Sequence, residues 1–348
     1  MRIPAFSSEF DQVRELTAWI GSDRSLTQAS TGNSSVKFDG DLWIKRSGCW
    51  MSAALRDDIF IRLNLAQVGD CLRRERDPSD FFVGASLETA MHAVMPHRIV
   101  VHVHSVNAIS WAVRPDGLSQ IQARLAGVRW QWIPYLPSGL PLAMAIERAW
   151  RRLPDTRLFV LANHGLVVGG DDVPSVHALL CDVHRRLAIS PRVAAEADHP
   201  TLARLTHGSN WRLPDDEEIH SLAIDPVSQR IVSRGILYPC QAIFSGSDGL
   251  KTFVVMDEFS ANSYRDSRRP FLLVEGCGVL VNRFASPAAV AMLAGLAQVA
   301  RRLGPSVPIR YLTDAEVAGI SPEVAERYRK LAGASGGSFQ RMAGGARK

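Results

Sequence analysis

The run Val100-Val101-His102-Val103-His104-Ser105 limits what this chain can fold into more than any other stretch. Residues 98–113 are rich in Val and Ile, which favour a strand followed by a helix or second strand. In a strand, alternate side chains share a face. His102 and His104 therefore point the same way, with Cα atoms about 6.6 Å apart, near enough for two imidazoles to meet one metal ion. Two half-buried histidines bonded to backbone carbonyls would give the same pattern, so a third ligand matters. Asn163-His164-Gly165 closes a second apolar strand at residues 158–162. A histidine just before a glycine turn sits where strand ends in α/β proteins present functional groups. Three histidines without a fourth protein ligand leave a position open to water or substrate, as catalytic zinc is held.

Other residues compete for or join that site. Glu88 falls in the first turn of a helix expected over residues 87–95, capped by Ser86 and closed by Pro96. The helix dipole accounts for an anion there, and beside a metal the same carboxylate serves as ligand or proton-transfer group. His92, His97, His177, His184, His199, His207 and His220 read as packing or solvated residues. Thr31-Gly32-Asn33-Ser34-Ser35 and Lys45-Arg46-Ser47-Gly48 join hydroxyls to glycines that free backbone N–H groups for phosphate oxygens. Lys45 adds a positive charge beside them. Cys49, next to Ser47-Gly48, reads as a small buried side chain.

The remaining sequence orders these motifs. Phe10, Val13, Leu16, Trp19 and Ile20 repeat at helical spacing up to Gly21, and residues 35–38 and 41–44 flank Asp39-Gly40, a strong hairpin signal. Residues 171–188 read as helical with a break near Pro174. Apolar periodicity fades between residues 195 and 215, which places a domain boundary near residue 210. Beyond it, residues 252–256 and 271–275 read as strands, Gly276-Cys277-Gly278 as a turn, and Ser286-Pro287 as the start of an Ala-rich helix closing at Gly304. Residues 333–348 are Gly- and Ser-rich and read as a flexible tail.

Composition excludes several classes. In 348 residues, 46% are hydrophobic and 22% charged, which is ordinary for a globular protein and argues against disorder. Lys and Arg number 40 against 35 Asp and Glu, a surplus of +5 that suits a small anion. It is too dispersed for nucleic acid. No apolar run is long enough for a membrane helix, and the N-terminus lacks the pattern of a secretory signal. Five scattered cysteines without a CxxC pair point to a reducing cytoplasm.

Taken in order, STGNSSVKF, LWIKRSG, ASLETAMHAVMPHRIVVHVHS, WIPYLPSGLPLAMAI and LANHGLVVGGD resemble the class II aldolase/adducin superfamily. Among its members they look most like the aldolase part of long rhamnulose-phosphate aldolase/dehydrogenase-type proteins. The resemblance runs from about residue 25 to 190. It implies a three-layer α/β/α domain with a mostly antiparallel central sheet over residues 1–210, leaving 211–332 as a smaller α/β domain. It also implies assembly as a homo-oligomer, with the tetramer usual in the family. Carried onto this chain, the metal ligands are His102, His104 and His164, and Glu88 is the acid/base. Gly32, Asn33, Lys45, Ser47, Gly48 and Ser86 line the phosphate pocket. The implied cofactor is Zn2+, or Mn2+ or Co2+ in its place.

Three departures accompany the resemblance. Residues 106–128 hold no tyrosine where small fuculose-phosphate aldolases carry a proton donor, and the nearest, Tyr135, lies in the IPYLPSG segment. Leu87 replaces a hydroxyl residue of some relatives, and no dinucleotide-binding glycine motif follows residue 190. The activity implied is a lyase that cleaves a phosphorylated ketose or sugar acid through a metal-stabilised enediolate. Superfamily epimerases, dehydratases and decarboxylases use the same chemistry and stay open as alternatives. A non-catalytic adducin-like binding protein stands well behind, since it has no need of three imidazoles and a carboxylate. A metal-dependent hydrolase is a further alternative.

Overall fold

The computed structural model describes residues 8–245, 255–265, 269–320 and 322–336. These form two compact units, one of the described residues up to Ala112 with Asp116–Ala188, the other of Val113–Pro115 with the described residues from Ile189 onward. The division falls some way before the expected boundary near 210. The helix His199–Thr206 lies in that interval, and it packs on strand Gly278–Asn282 of the second unit.

The first unit is built on a seven-stranded sheet. Its strands are β1 (Asn33–Phe38), β2 (Asp41–Lys45), β3 (Phe60–Asn64), β4 (Ile99–Val103), β5 (Trp130–Ile133), β6 (Leu158–Leu161) and β7 (Gly165–Gly170), in the order β3-β2-β1-β4-β7-β6-β5. All neighbours are antiparallel except β5 and β6. The Asp39-Gly40 hairpin forms as expected, with Phe38 opposite Asp41 and both turn residues at positive φ, 48° and 80°. That conformation suits a two-residue turn whose twist matches the strands.

Helices cover the sheet. They are α1 (Ser8–Ser22), α2 (Leu65–Arg73), α3 (Thr89–Val94), α4 (Val106–Ala112), α5 (Gly117–Arg124), α6 (Leu140–Arg152) and α7 (Val173–Arg186). Ala90, Met91 and Met95 from α3 and its end, with Leu142, Ala143 and Ile146 of α6, pack on Val100, Phe159, Leu161 and Val167. Those strand residues lie on one face of β4, β6 and β7. Helices α1, α4 and α7 also pack on the sheet. The α1 stripe of Phe10, Val13, Leu16 and Ile20 is buried, as its spacing requires.

The second unit has its own sheet, ordered β8-β11-β10-β9: β8 (Trp211–Arg212), β9 (Val255–Met256), β10 (Phe271–Val274) and β11 (Gly278–Asn282). Ser286 caps the helix Pro287–Arg302 by accepting the Ala289 N–H, as expected of Ser before Pro. Of the strand expected at 252–256, only Val255–Met256 is seen, and 252–254 lie outside the described residues.

Three local expectations are corrected. The helix after Ser86 begins at Thr89, so Glu88 is its N-cap residue and lies outside the first turn. Ser86 Oγ accepts the Glu88 N–H instead. Pro174 does not break a helix; it opens one, with Asp172 as the cap accepting the Ser175 N–H. Residues 333–336 of the expected tail continue the helix Pro322–Gly336, and 337–348 lie outside the described residues.

At Gly165 the start of β7 lies close against the end of β4. A Cβ there would stand 2.3 Å from the Val103 carbonyl oxygen, and backbone cannot yield as a side chain can. Gly165→Ala is therefore expected to cost about 1–3 kcal/mol and lower the thermal midpoint by several degrees. Calorimetry checks this, and an unchanged midpoint would contradict the β4–β7 packing.

Candidate metal centre

Strand register assembles the centre. His102 stands opposite Asn33 of β1 on one side and Val167 of β7 on the other. It shares with Val100 the sheet face that carries α3. His104 follows just past the end of β4. His164 sits in the turn between β6 and β7, where Asn163 adopts a left-handed φ of 51° that asparagine tolerates. Glu88 at the start of α3 completes the group. One donor atom from each of Glu88, His102, His104 and His164 lies within 4.8 Å of every other, and all four residues are buried.

The details suit a cation. His102 Nδ1 donates to the Leu166 carbonyl at 2.8 Å, which turns the Nε2 lone pair inward. His102 Nε2 and His104 Nε2 are 3.0 Å apart, and Glu88 Oε1 is 3.2 and 3.3 Å from the Nε2 atoms of His102 and His164. An ion with tetrahedral bonds of about 2.0–2.1 Å would separate its ligands by about 3.3 Å, so the spacing fits. Burial favours the neutral form of Glu88, but the His102 and His164 imidazoles outweigh it and hold the carboxyl well below its usual range. Burial likewise lowers His102, yet the Glu88 carboxylate raises it above the ordinary value. His104 is pushed well down by burial and by the other two rings. The pocket thus holds one anion that attracts positive charge, whether a proton on His102 or a metal ion.

The loops around the centre hold the other sequence candidates. Gly32, at φ 67°, brings the chain against the His102 carbonyl, where a Cβ would come within 2.8 Å. The Ser47 N–H donates to the Gly84 carbonyl, drawing Ser47-Gly48 beside the loop that carries Ser86. Asn33 Nδ2 lies 3.4 Å from Ser86 Oγ and 2.6 Å from Glu88 Oε2. Lys45 is buried, and its ammonium donates to the carbonyls of Ser30, Arg46 and Cys49. Burial lowers its pKa to about 8, with Cys49 and Glu88 opposing.

Two members of this neighbourhood have other readings in the sequence, His92 as a packing or solvated residue and Ser35 as part of a phosphate-type loop. His92 Nε2 contacts Asn33 Oδ1, and His92 Nδ1 is 2.7 Å from Ser35 Oγ. The signal was present: His92 follows Glu88 by four residues on α3, and Ser35 follows Asn33 by two on β1. His184 and His177 do not pair. His184 meets Ser25 and Ser105, and His177 packs edge-on against Trp19.

A second histidine group lies in the other unit. One donor atom from each of His199, Glu217 and His220 lies within 4.8 Å of the others, and His220 is buried, the packing outcome of its two sequence readings. Its Nδ1 accepts the Val279 N–H at 3.0 Å, so the neutral ring carries its proton on Nε2. A protonated Nε2 offers no lone pair, so this group does not suit a metal.

Comparison with known proteins identifies a family. The family description "Class II Aldolase and Adducin N-terminal domain" matches residues 11–190. The chain belongs to this family. Its match to the Bacillus subtilis protein named uncharacterized oxidoreductase YuxG is 29% identical over 174 residues, covering 44% of this chain but 25% of that protein. The N-terminal class II aldolase domain of a Thermoplasma acidophilum protein is 23% identical, covers 54% of this chain and 95% of its own, and has a TM-score of 0.46. L-fuculose-1-phosphate aldolase from Thermus thermophilus is 20% identical, with 51% and 92% covered and a TM-score of 0.37. The family match covers the seven-stranded sheet and all four clustered donors.

Burial lowers the His92 pKa from 6.5 to about 3. Between those values the unfolded chain binds a proton that the folded chain does not, so stability falls as pH falls through that window. His92→Gln removes the titrating group. Its unfolding free energy should decline less steeply than wild type below pH 6.5, by up to about 1.4 kcal/mol per pH unit. Parallel urea titrations of the metal-free proteins at three acidic pH values measure the slopes. Equal slopes would mean that His92 is not held neutral.

Proposed function

We propose that this chain is a divalent-metal-dependent lyase of the aldolase type, acting on a phosphorylated ketose or sugar acid. The observation that carries the reading is the buried set of three imidazole Nε2 atoms and one carboxylate oxygen, gathered within 4.8 Å at one end of the sheet. In this reading His102, His104 and His164 hold the ion, for which three imidazoles make zinc the first choice. A bound divalent ion supplies Lewis acidity for the oxyanion that develops when the carbon–carbon bond beside a carbonyl breaks.

The protein's own groups supply the rest. Glu88 is held ionised, with Oε2 accepting from Asn33 and Oε1 turned toward the imidazoles. In this reading Oε1 takes or returns a proton at the substrate. Gly32, Ser47, Gly48 and Ser86 offer hydroxyls and backbone N–H groups to a phosphate. Asn33 and Lys45 support it from behind, since their polar ends already bind Glu88, His92 and the loop carbonyls. Burial of the imidazoles keeps bulk water away from the reacting oxygens.

The purified protein should contain close to one zinc, manganese or cobalt per chain, and His102→Ala or His164→Ala should lose it. Glu88→Gln should keep the metal while turnover on a panel of ketose phosphates drops by about 100-fold or more. Elemental analysis and aldehyde release measure these. Wild-type protein that stays metal-free after incubation with those ions would overturn the reading, as would full turnover by Glu88→Gln. A product that keeps its carbon chain intact would replace the lyase with an epimerase or dehydratase.

A further inference from the structure

A buried polar chain leads away from Glu88. Glu88 Oε2 meets Asn33 Nδ2 at 2.6 Å, Asn33 Oδ1 meets His92 Nε2, and His92 Nδ1 meets Ser35 Oγ at 2.7 Å. Asn33, His92 and Ser35 are all buried. Donor rules give the chain a single direction. A carboxylate only accepts, so the Asn33 amide must turn its NH2 toward Glu88 and its oxygen toward His92. His92 Nε2 must then donate. A neutral imidazole has one N–H, so Nδ1 accepts and the Ser35 hydroxyl donates to it. The burial that pushes the His92 pKa down to about 3 keeps the ring neutral, as this pattern requires.

We propose that His92 is a positioning residue: its Nε2–H fixes the Asn33 amide so that Glu88 keeps Oε2 bound and Oε1 aimed at the imidazole cluster. Without that donor the amide oxygen has no partner on the α3 side. The amide is then free to rotate toward Ser86 Oγ, already 3.4 Å from Nδ2, and Glu88 loses its fixed orientation. The catalytic consequence rests on Glu88 acting as the acid/base of the proposed lyase. The hydrogen-bond pattern itself does not.

The test compares wild type, His92→Leu and His92→Gln. Glutamine carries an N–H donor at about the reach of Nε2, and leucine fills the space without one. Long-range 15N–1H spectra of the metal-free protein should show His92 with its proton on Nε2. They should also show a slowly exchanging Asn33 side-chain NH2 that persists in His92→Gln and is lost in His92→Leu. For the loaded enzyme, His92→Leu should lower kcat by about 10- to 100-fold, with metal content and KM within about twofold of wild type. His92→Gln should recover most of that loss. A proton on His92 Nδ1, or an Asn33 NH2 equally protected in His92→Leu, would overturn the inference. So would an unchanged kcat in His92→Leu. A wild-type protein that binds metal and cleaves no substrate would sink the lyase reading alone, leaving the spectra to decide the positioning role.

Discussion

A carboxylate buried among three imidazoles is the interaction on which this domain turns. An isolated buried charge costs far more than a fold can spare, so Glu88 is tolerable only because its surroundings answer it. His102 and His164 meet one oxygen, and Asn33 meets the other. Each answering group comes from a different element: β4, the β6–β7 turn and β1. Satisfying one anion thus ties together the middle of the sheet and the start of α3. The same requirement sets direction further out, through Asn33 to His92 and Ser35.

Much of this could be read from the sequence because its signals are local. An HxH pair in a β-branched run, a histidine before a glycine and an Asp-Gly hairpin each report geometry within a few residues. The structure places all three as those patterns imply. Signals that depend on distant partners were weaker. His92 looks like any helical histidine until α3 is laid against β1, because its role comes from residues 57 and 59 positions away. Lys45 reads from sequence as a positive charge for the phosphate pocket, and only the folded loop shows its ammonium spent on three carbonyls.

The displaced boundaries have similar causes. The helix beginning at Thr89 starts late because Ser86 takes up the Glu88 N–H in a turn of its own, leaving Ser86 and Glu88 side by side at the centre. Residues 333–336 are helical despite their glycine content, and the fully buried Ala332 just before them shows packing overriding propensity. Where local preference and tertiary contact disagree, burial decides.

The β6–β7 turn also governs how the centre meets a ligand. Only Ala162, Asn163 and His164 separate the two strands, and the Asn163 N–H is anchored on Ala112 while that of His164 is anchored on Leu161. So short a connection gives the His164 ring no hinge of its own. The backbone entropy lost in ordering this ring is surrendered when the sheet folds, before any ligand arrives. A centre of this kind meets its ligand already in shape, which favours tight capture and leaves little slack for a ligand of different size.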